Sequence, residues 1–90
     1  MVDFFKDLDY ETATEVEALT RLMYELRQNR NDLLDSCAVP DENALLEKIC
    51  AGELDEHPAY EQYLAARILA DTCATARLLV AEKLHEAQRR

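Results

Sequence analysis

The sequence has very few of the residues that interrupt helices. It contains one glycine, Gly52, and two prolines, Pro40 and Pro58. The strands of an all-β fold would need turns roughly every 8–12 residues, and Gly and Pro are the residues that most often form them. The scarcity of both therefore excludes an all-β fold and predicts an all-α chain, which these three residues divide into three helical segments.

Cysteine is also too scarce for a structural framework. Cys37, Cys50 and Cys73 include no Cys-x-x-Cys pair, and their number is odd, so neither a zinc knuckle nor a complete set of intrachain disulfides fits. Each lies in an apolar stretch, which is typical of a buried, reduced thiol that packs as a small hydrophobe. Since free thiols favour a reducing compartment, we expect a cytoplasmic protein.

Long apolar runs and positive charge are lacking as well. No run of about 18 uncharged apolar residues occurs, so we expect no membrane span. The first ten residues, MVDFFKDLDY, are acidic and hold too short an apolar run for a signal peptide. The net charge of −9 repels phosphate and anionic membrane surfaces, which argues against nucleic acids and membranes as partners.

The first long segment is predicted as a helix over about residues 12–37. Thr12 and Glu15 have the spacing of a capping box, and residues 1–11 are either an arm or an extension of the helix capped by Asp3. An apolar seam then repeats at alternating spacings of four and three, interrupted only by an arginine: Val16, Leu19, Met23, Leu26, Arg30, Leu33 and Cys37.

The middle segment is predicted as a short helix over residues 40–51. Pro40 suits its first turn, and Asp41 suits the positive end of its dipole. Its apolar face consists of Leu45, Leu46, Ile49 and Cys50. Gly52 would end this helix, because glycine readily adopts the left-handed conformation that follows many helices.

The last segment, about residues 58–88, matches the first in length, so the two are expected to form an antiparallel hairpin. One of its faces carries Ala66, Leu69, Cys73, Ala76, Val80 and Leu84, and the opposite face carries Tyr60, Leu64, Ile68 and Leu78. A helix that is apolar on nearly all sides must be central. Since 90 residues cannot cover both faces, we expect a homo-oligomer, with a dimer favoured, that builds a four-helix or larger bundle. The predicted interface is Leu64, Leu69, Cys73, Ala76 and Val80.

Within that last segment, Arg67 and Asp71 are four residues apart and could pair on the helix surface. An oligomer that buried them would make them more important for register than for stability.

Two clusters of carboxylates and histidine are candidate divalent-metal sites. Glu82 and His85 lie three apart on one helical face, and an antiparallel hairpin would bring Glu15 towards them, as in half of a ferritin-like bundle. The second cluster surrounds the loop before the last helix: Glu53, Asp55, Glu56, His57 and Glu61. A solvated helix face explains the first cluster equally, and acids at a helix N-terminus explain the second. The sequence thus favours no cofactor, with a divalent metal as the alternative.

Signals for catalysis are missing. With one glycine, the chain cannot form a nucleophile elbow or a phosphate-binding loop of the familiar kinds. The long–short–long helix order resembles that of the small dimeric chorismate mutases in length and order alone. A site of that family needs several cations, and the candidates here are Arg21, Arg30 and Arg67 in a strongly acidic chain that lacks the family's clustered basic pattern. A small enzyme is therefore the most distant alternative.

These observations favour a non-catalytic helical protein that oligomerises and interacts through an acidic surface and an apolar helix face. A basic protein or a helix docking in a groove would suit those features. The alternative is a protein that binds metal through carboxylate and histidine ligands.

Overall fold

The computed structural model describes residues 9–89 of the chain. They form three α-helices: α1 over Tyr10–Ser36, α2 over Glu42–Cys50 and α3 over Glu56–Arg89. No strand occurs among the described residues, so the all-α prediction is confirmed for this part of the chain. The predicted extension of the first helix over residues 1–8, with Asp3 as its cap, lies outside the described residues.

α1 begins earlier than the sequence indicated. Its N-cap is Asp9, whose side chain accepts a hydrogen bond from the Thr12 amide at 2.7 Å. Aspartate is among the best N-cap residues because its carboxylate accepts from an otherwise unpaired N–H of the first turn. The capping box predicted at Thr12 and Glu15 is therefore wrong, since Asp9 supplies the cap and Glu15 contacts α3 instead.

α1 ends in a Schellman motif. The Val39 amide donates to the Leu34 carbonyl at 3.1 Å, and the Ala38 amide donates to the Asp35 carbonyl at 3.0 Å. The apolar contact typical of the motif is present, because Leu34 and Val39 belong to one buried cluster. The motif needs a left-handed residue, and here that residue is Ala38, with φ of 56°.

α2 is capped at both ends. Asp41 is its N-cap and accepts from the Ala44 amide at 2.8 Å, so Pro40 lies outside the helix and not in its first turn as predicted. Gly52, with φ of 77°, follows the helix as predicted, and the Glu53 amide donates to the Lys48 carbonyl at 2.9 Å.

The apolar face of α2 is smaller than predicted. Leu45 is fully buried, while Leu46 and Ile49 are half-buried. Cys50 is exposed, so its assignment to this face is wrong.

The two long helices are antiparallel. Cys37 contacts Gln62, Met23 contacts Cys73, and Glu15 contacts Lys83, so the residue number falls along α1 as it rises along α3. Backbone dihedrals of His57 are non-helical, and the regular part of α3 therefore starts at Pro58. Every position of the predicted seam on α1 is buried or half-buried, which confirms its heptad spacing: Val16, Leu19, Met23, Leu26, Arg30, Leu33 and Cys37.

The molecule is only about two helices thick. Its extents are 55 × 20 × 19 Å, and one helix with its side chains has a diameter of about 10 Å. α2 packs on α3 at one end, around the buried cluster of Leu34, Val39, Leu45, Tyr63 and Ala66. Because residues 9–89 form no further layer, each long helix has one face that none of these residues covers.

The left-handed Ala38 leads to a stability prediction. An L-residue with a Cβ is disfavoured in this conformation by roughly 1–2 kcal/mol, whereas glycine is not. We expect Ala38→Gly to raise the free energy of unfolding by about 1 kcal/mol in urea denaturation at fixed protein concentration. Ala51→Gly is the matched control, because Ala51 has φ of −79° and should gain nothing. A loss of stability in Ala38→Gly would contradict the assignment.

Candidate functional site

The first predicted metal site is not assembled. Glu15 accepts a hydrogen bond from the Lys83 ammonium, while Glu82 and His85 are exposed on α3. Among the described residues, no group of three or more His, Cys, Asp or Glu side chains is placed to hold a metal ion. The hydrogen bond to Glu15 raises the pKa of Lys83 above its ordinary value, although burial acts in the opposite direction. Lys83 therefore remains protonated at neutral pH, and its contact with Glu15 bridges the start of α1 to the end of α3.

The second predicted cluster lies in the loop before α3 and at the start of that helix. The imidazole Nδ1 of His57 is 2.8 Å from the Glu61 carboxylate, and both side chains are well exposed. Glu53, Asp55 and Glu56 are exposed as well. These acids complement the positive end of the α3 dipole, which is a sufficient reason for their position.

The structure divides the predicted interface between two faces of α3. Cys73 and Ala76 are 9% and 3% exposed because α1 of the same chain covers them, so their assignment to an intermolecular interface is corrected. Leu69 and Val80 lie half-buried on that same row. Leu64 alone is on the solvent side, with 40% of its surface exposed. The five residues were assigned to the interface because they are apolar and lie on one helix. Their spacing does not indicate which face of α3 is covered by α1.

α3 carries a second seam on its solvent side, which we call the exposed seam. Its residues repeat at spacings of four and three, and all of them are exposed: Tyr60, Leu64, Arg67, Asp71, Ala74 and Leu78. With 3.6 residues per turn, this seam lies roughly 160° around the helix from the row that faces α1. Ile68 and Leu79 flank it and are 64% and 40% exposed. A heptad-spaced apolar face of this kind is typical of helix–helix contacts.

Aromatic side chains organise one half of the exposed seam. The rings of Tyr60 and Tyr63 stack with centroids 6.0 Å apart. The Arg67 guanidinium lies 5.9 Å from the Tyr63 ring centroid and donates a hydrogen bond to its hydroxyl at 3.5 Å. That hydrogen bond, followed by the charges of Tyr63 and Asp71, raises the pKa of Arg67. The arginine is thus a fixed positive charge that its neighbours orient along the helix.

An ion pair that the sequence did not predict anchors α2. Arg30, which interrupts the α1 seam, donates through Nε at 2.6 Å to the Glu42 carboxylate, and its Nη2 lies 2.5 Å from the same oxygen. The two side chains are 26% and 19% exposed. The sequence did contain a signal for this pair. An arginine stands at a position of the apolar seam, and an acid stands at the start of the next helix.

The groove between α1 and α3 opens beyond Arg30 into a shallow cleft of about 180 Å³. Three arginines line it, Arg27, Arg30 and Arg77, over an apolar floor formed by residues such as Leu26 and Leu69. Arg30 is neutralised by Glu42, so the cleft contains less free positive charge than its lining indicates.

Comparison with known proteins gives one result at the level of family. A sequence model of the Uncharacterized protein MJ0235 family matches residues 11–87, which include most of α1, all of α2 and nearly all of α3. The chain belongs to this family. No curated protein and no solved structure matches the chain. In the described part of the chain, no helix is both long and apolar enough to cross a membrane.

The burial of Ala76 predicts a folding defect. A carboxylate at this position would be buried without a partner between α1 and α3, which costs several kcal/mol, a large share of a small domain's stability. We expect Ala76→Glu to lose most of its helical circular-dichroism signal. Thr75→Glu, at the adjacent exposed position, should keep that signal. A fully folded Ala76→Glu protein would show that α1 does not cover this face.

The Arg30–Glu42 pair predicts a coupled effect on stability. Because both side chains are largely buried, Arg30→Met leaves Glu42 without its partner, and we expect a loss of about 1–2 kcal/mol in urea unfolding. The double variant Arg30→Met, Glu42→Met removes both charges and should recover part of that loss. Strictly additive effects of the two substitutions would contradict a direct pair.

Proposed function

We propose that the protein is a non-catalytic helical interaction protein that assembles as a homodimer through α3. The observation that carries the proposal is the exposed seam, whose apolar side chains have heptad spacing and are left uncovered by the described part of the chain. Apolar side chains arranged in this way on one helix are typical of a surface that packs against another helix.

The surface area supports this proposal. The chain exposes 6761 Å². A compact monomer of 10.3 kDa is expected to expose about 5,400 Å². The excess exceeds the roughly 800 Å² that each partner buries in an interface of standard size. A second copy against α3 would therefore bring the exposed area per chain towards that of an ordinary compact protein.

The distribution of charge favours a second copy as the partner. The chain has a net charge of −9, but the segment from Tyr60 to Ala81 carries only Glu61, Arg67, Asp71 and Arg77, which sum to zero. Two copies can approach along this segment without placing like charges in contact, whereas an approach along other surfaces brings acids together.

The position of the exposed seam also defines the form of the assembly. Since the seam lies almost opposite the row that faces α1, a dimer through it places the two α3 helices in the centre and the two α1 helices outside. This is a flat, layered form of the four-helix bundle expected from the sequence. The acidic outer surface then remains available, and a basic protein is the partner that it favours.

A substitution at the C-terminal end of the exposed seam tests the proposal. Leu78 is 71% exposed, so Leu78→Glu should keep the helical circular-dichroism signal of the chain. We expect it to weaken dimerisation at least about tenfold, because the introduced carboxylate is desolvated at the interface. Sedimentation equilibrium at micromolar concentration measures both the wild type and the variant.

Tyr24→Glu is the matched control, because Tyr24 is a 60% exposed aromatic residue on α1, away from the exposed seam. It should dimerise like the wild type. A wild-type protein that sediments as a monomer of 10.3 kDa would overturn the proposed homodimer.

A further inference from the structure

The exposed seam carries charges that could determine how two copies align. Arg67 and Asp71 lie in the middle of the seam, with apolar residues at both of its ends. We propose that two copies pair antiparallel along α3, in the register that sets Arg67 of each chain against Asp71 of the partner subunit. This inference rests on the proposed homodimer and specifies its orientation and register.

Symmetry identifies this register. A two-fold axis beside Leu69 pairs residues that lie equally far before and after it in the sequence. Tyr60 then meets Leu78 of the partner subunit, and Leu64 meets Ala74 of the partner subunit. Arg67 meets Asp71 of the partner subunit, and by symmetry this contact occurs twice. Large side chains thus face small or aliphatic ones, and each buried charge faces its opposite.

Other alignments of the same seam are unfavourable. A parallel pair would set Arg67 against Arg67 of the partner subunit, and Asp71 likewise against its own copy, which are like-charge contacts. The two neighbouring antiparallel registers would set each arginine against a leucine and each aspartate against a tyrosine or an alanine. A charge desolvated against an apolar side chain is costly, so the seam disfavours these registers as well.

The side chains are already arranged for this contact. Arg67 is held along α3 by the hydroxyl and ring of Tyr63. Asp71 is exposed one turn further along α3, where its negative charge contributes to the raised pKa of Arg67. An arginine held by Tyr63 and an exposed carboxylate therefore lie one turn apart on a surface that is otherwise apolar. Charges at such positions commonly specify register and orientation in helix pairs.

The register predicts that two variants with complementary charges will dimerise with each other even though each dimerises weakly with itself. Arg67→Asp sets Asp against Asp71 of the partner subunit, and Asp71→Arg sets Arg against Arg67 of the partner subunit. Each variant alone should dimerise at least about tenfold more weakly than the wild type. In an equimolar mixture both contacts of the heterodimer become Asp against Arg, so the mixture should dimerise to within about threefold of the wild type. Sedimentation equilibrium measures all three samples.

Matched controls separate this contact from general charge effects. Arg77→Asp makes the same change on α3 outside the exposed seam, and Glu25→Arg replaces an acid by arginine on the exposed side of α1. Both should dimerise like the wild type. Circular dichroism checks that each variant is folded, and Arg67→Glu with Asp71→Lys provides a second complementary pair if one of the first variants is not.

The outcomes separate this inference from the proposed function. A monomeric wild type would overturn the homodimer and, with it, the register. A dimeric wild type whose single variants remain fully dimeric would leave the homodimer standing and overturn the register. Monomeric single variants whose mixture also stays monomeric would overturn the register too, since no direct contact between Arg67 and Asp71 would then exist.

Discussion

The antiparallel packing of α1 on α3 is the contact on which the rest of the structure depends. The heptad seam of α1 and the small residues of α3, such as Ala66 and Ala76, bury each other along the length of the molecule. The short helix α2 adds a local core around Leu45 and is tied to α1 by the Arg30–Glu42 pair. Without the α1–α3 contact, neither the position of α2 nor the separation of the two faces of α3 would be fixed.

A hairpin that is two helices thick cannot bury an apolar stripe on its outer side. α3 is apolar on two nearly opposite sides, and α1 can cover only one of them. The uncovered side is also the part of the surface where the acidic excess of the chain disappears, since its charges balance between Tyr60 and Ala81. Apolar character and local neutrality together distinguish this face from the acidic remainder and favour a second copy of the chain as its partner.

Helix number, the heptad seam of α1 and the glycine end of α2 could be predicted because they depend on local spacing and backbone preference. The start of α1 differs from the prediction because Asp9 and Thr12 are both acceptable N-cap residues. In the structure Asp9 caps the helix, and Glu15 pairs with Lys83 of α3. The spacing of Glu82 and His85 in the sequence places them on one helix face. A metal site also needs Glu15 of α1 beside them, and in the structure Lys83 is the residue that contacts Glu15.

By itself, the sequence determined that the chain is helical and that its last helix has more apolar surface than one neighbour can cover. Both properties follow from residue spacing along a helix, which is a local quantity. Only the tertiary structure decided which row of α3 faces α1, because Cys73 and Leu64 are equally acceptable in a helix interface. That choice depends on the shape and register of the two helices together, and it leaves Tyr60, Arg67, Asp71 and Leu78 on the open side.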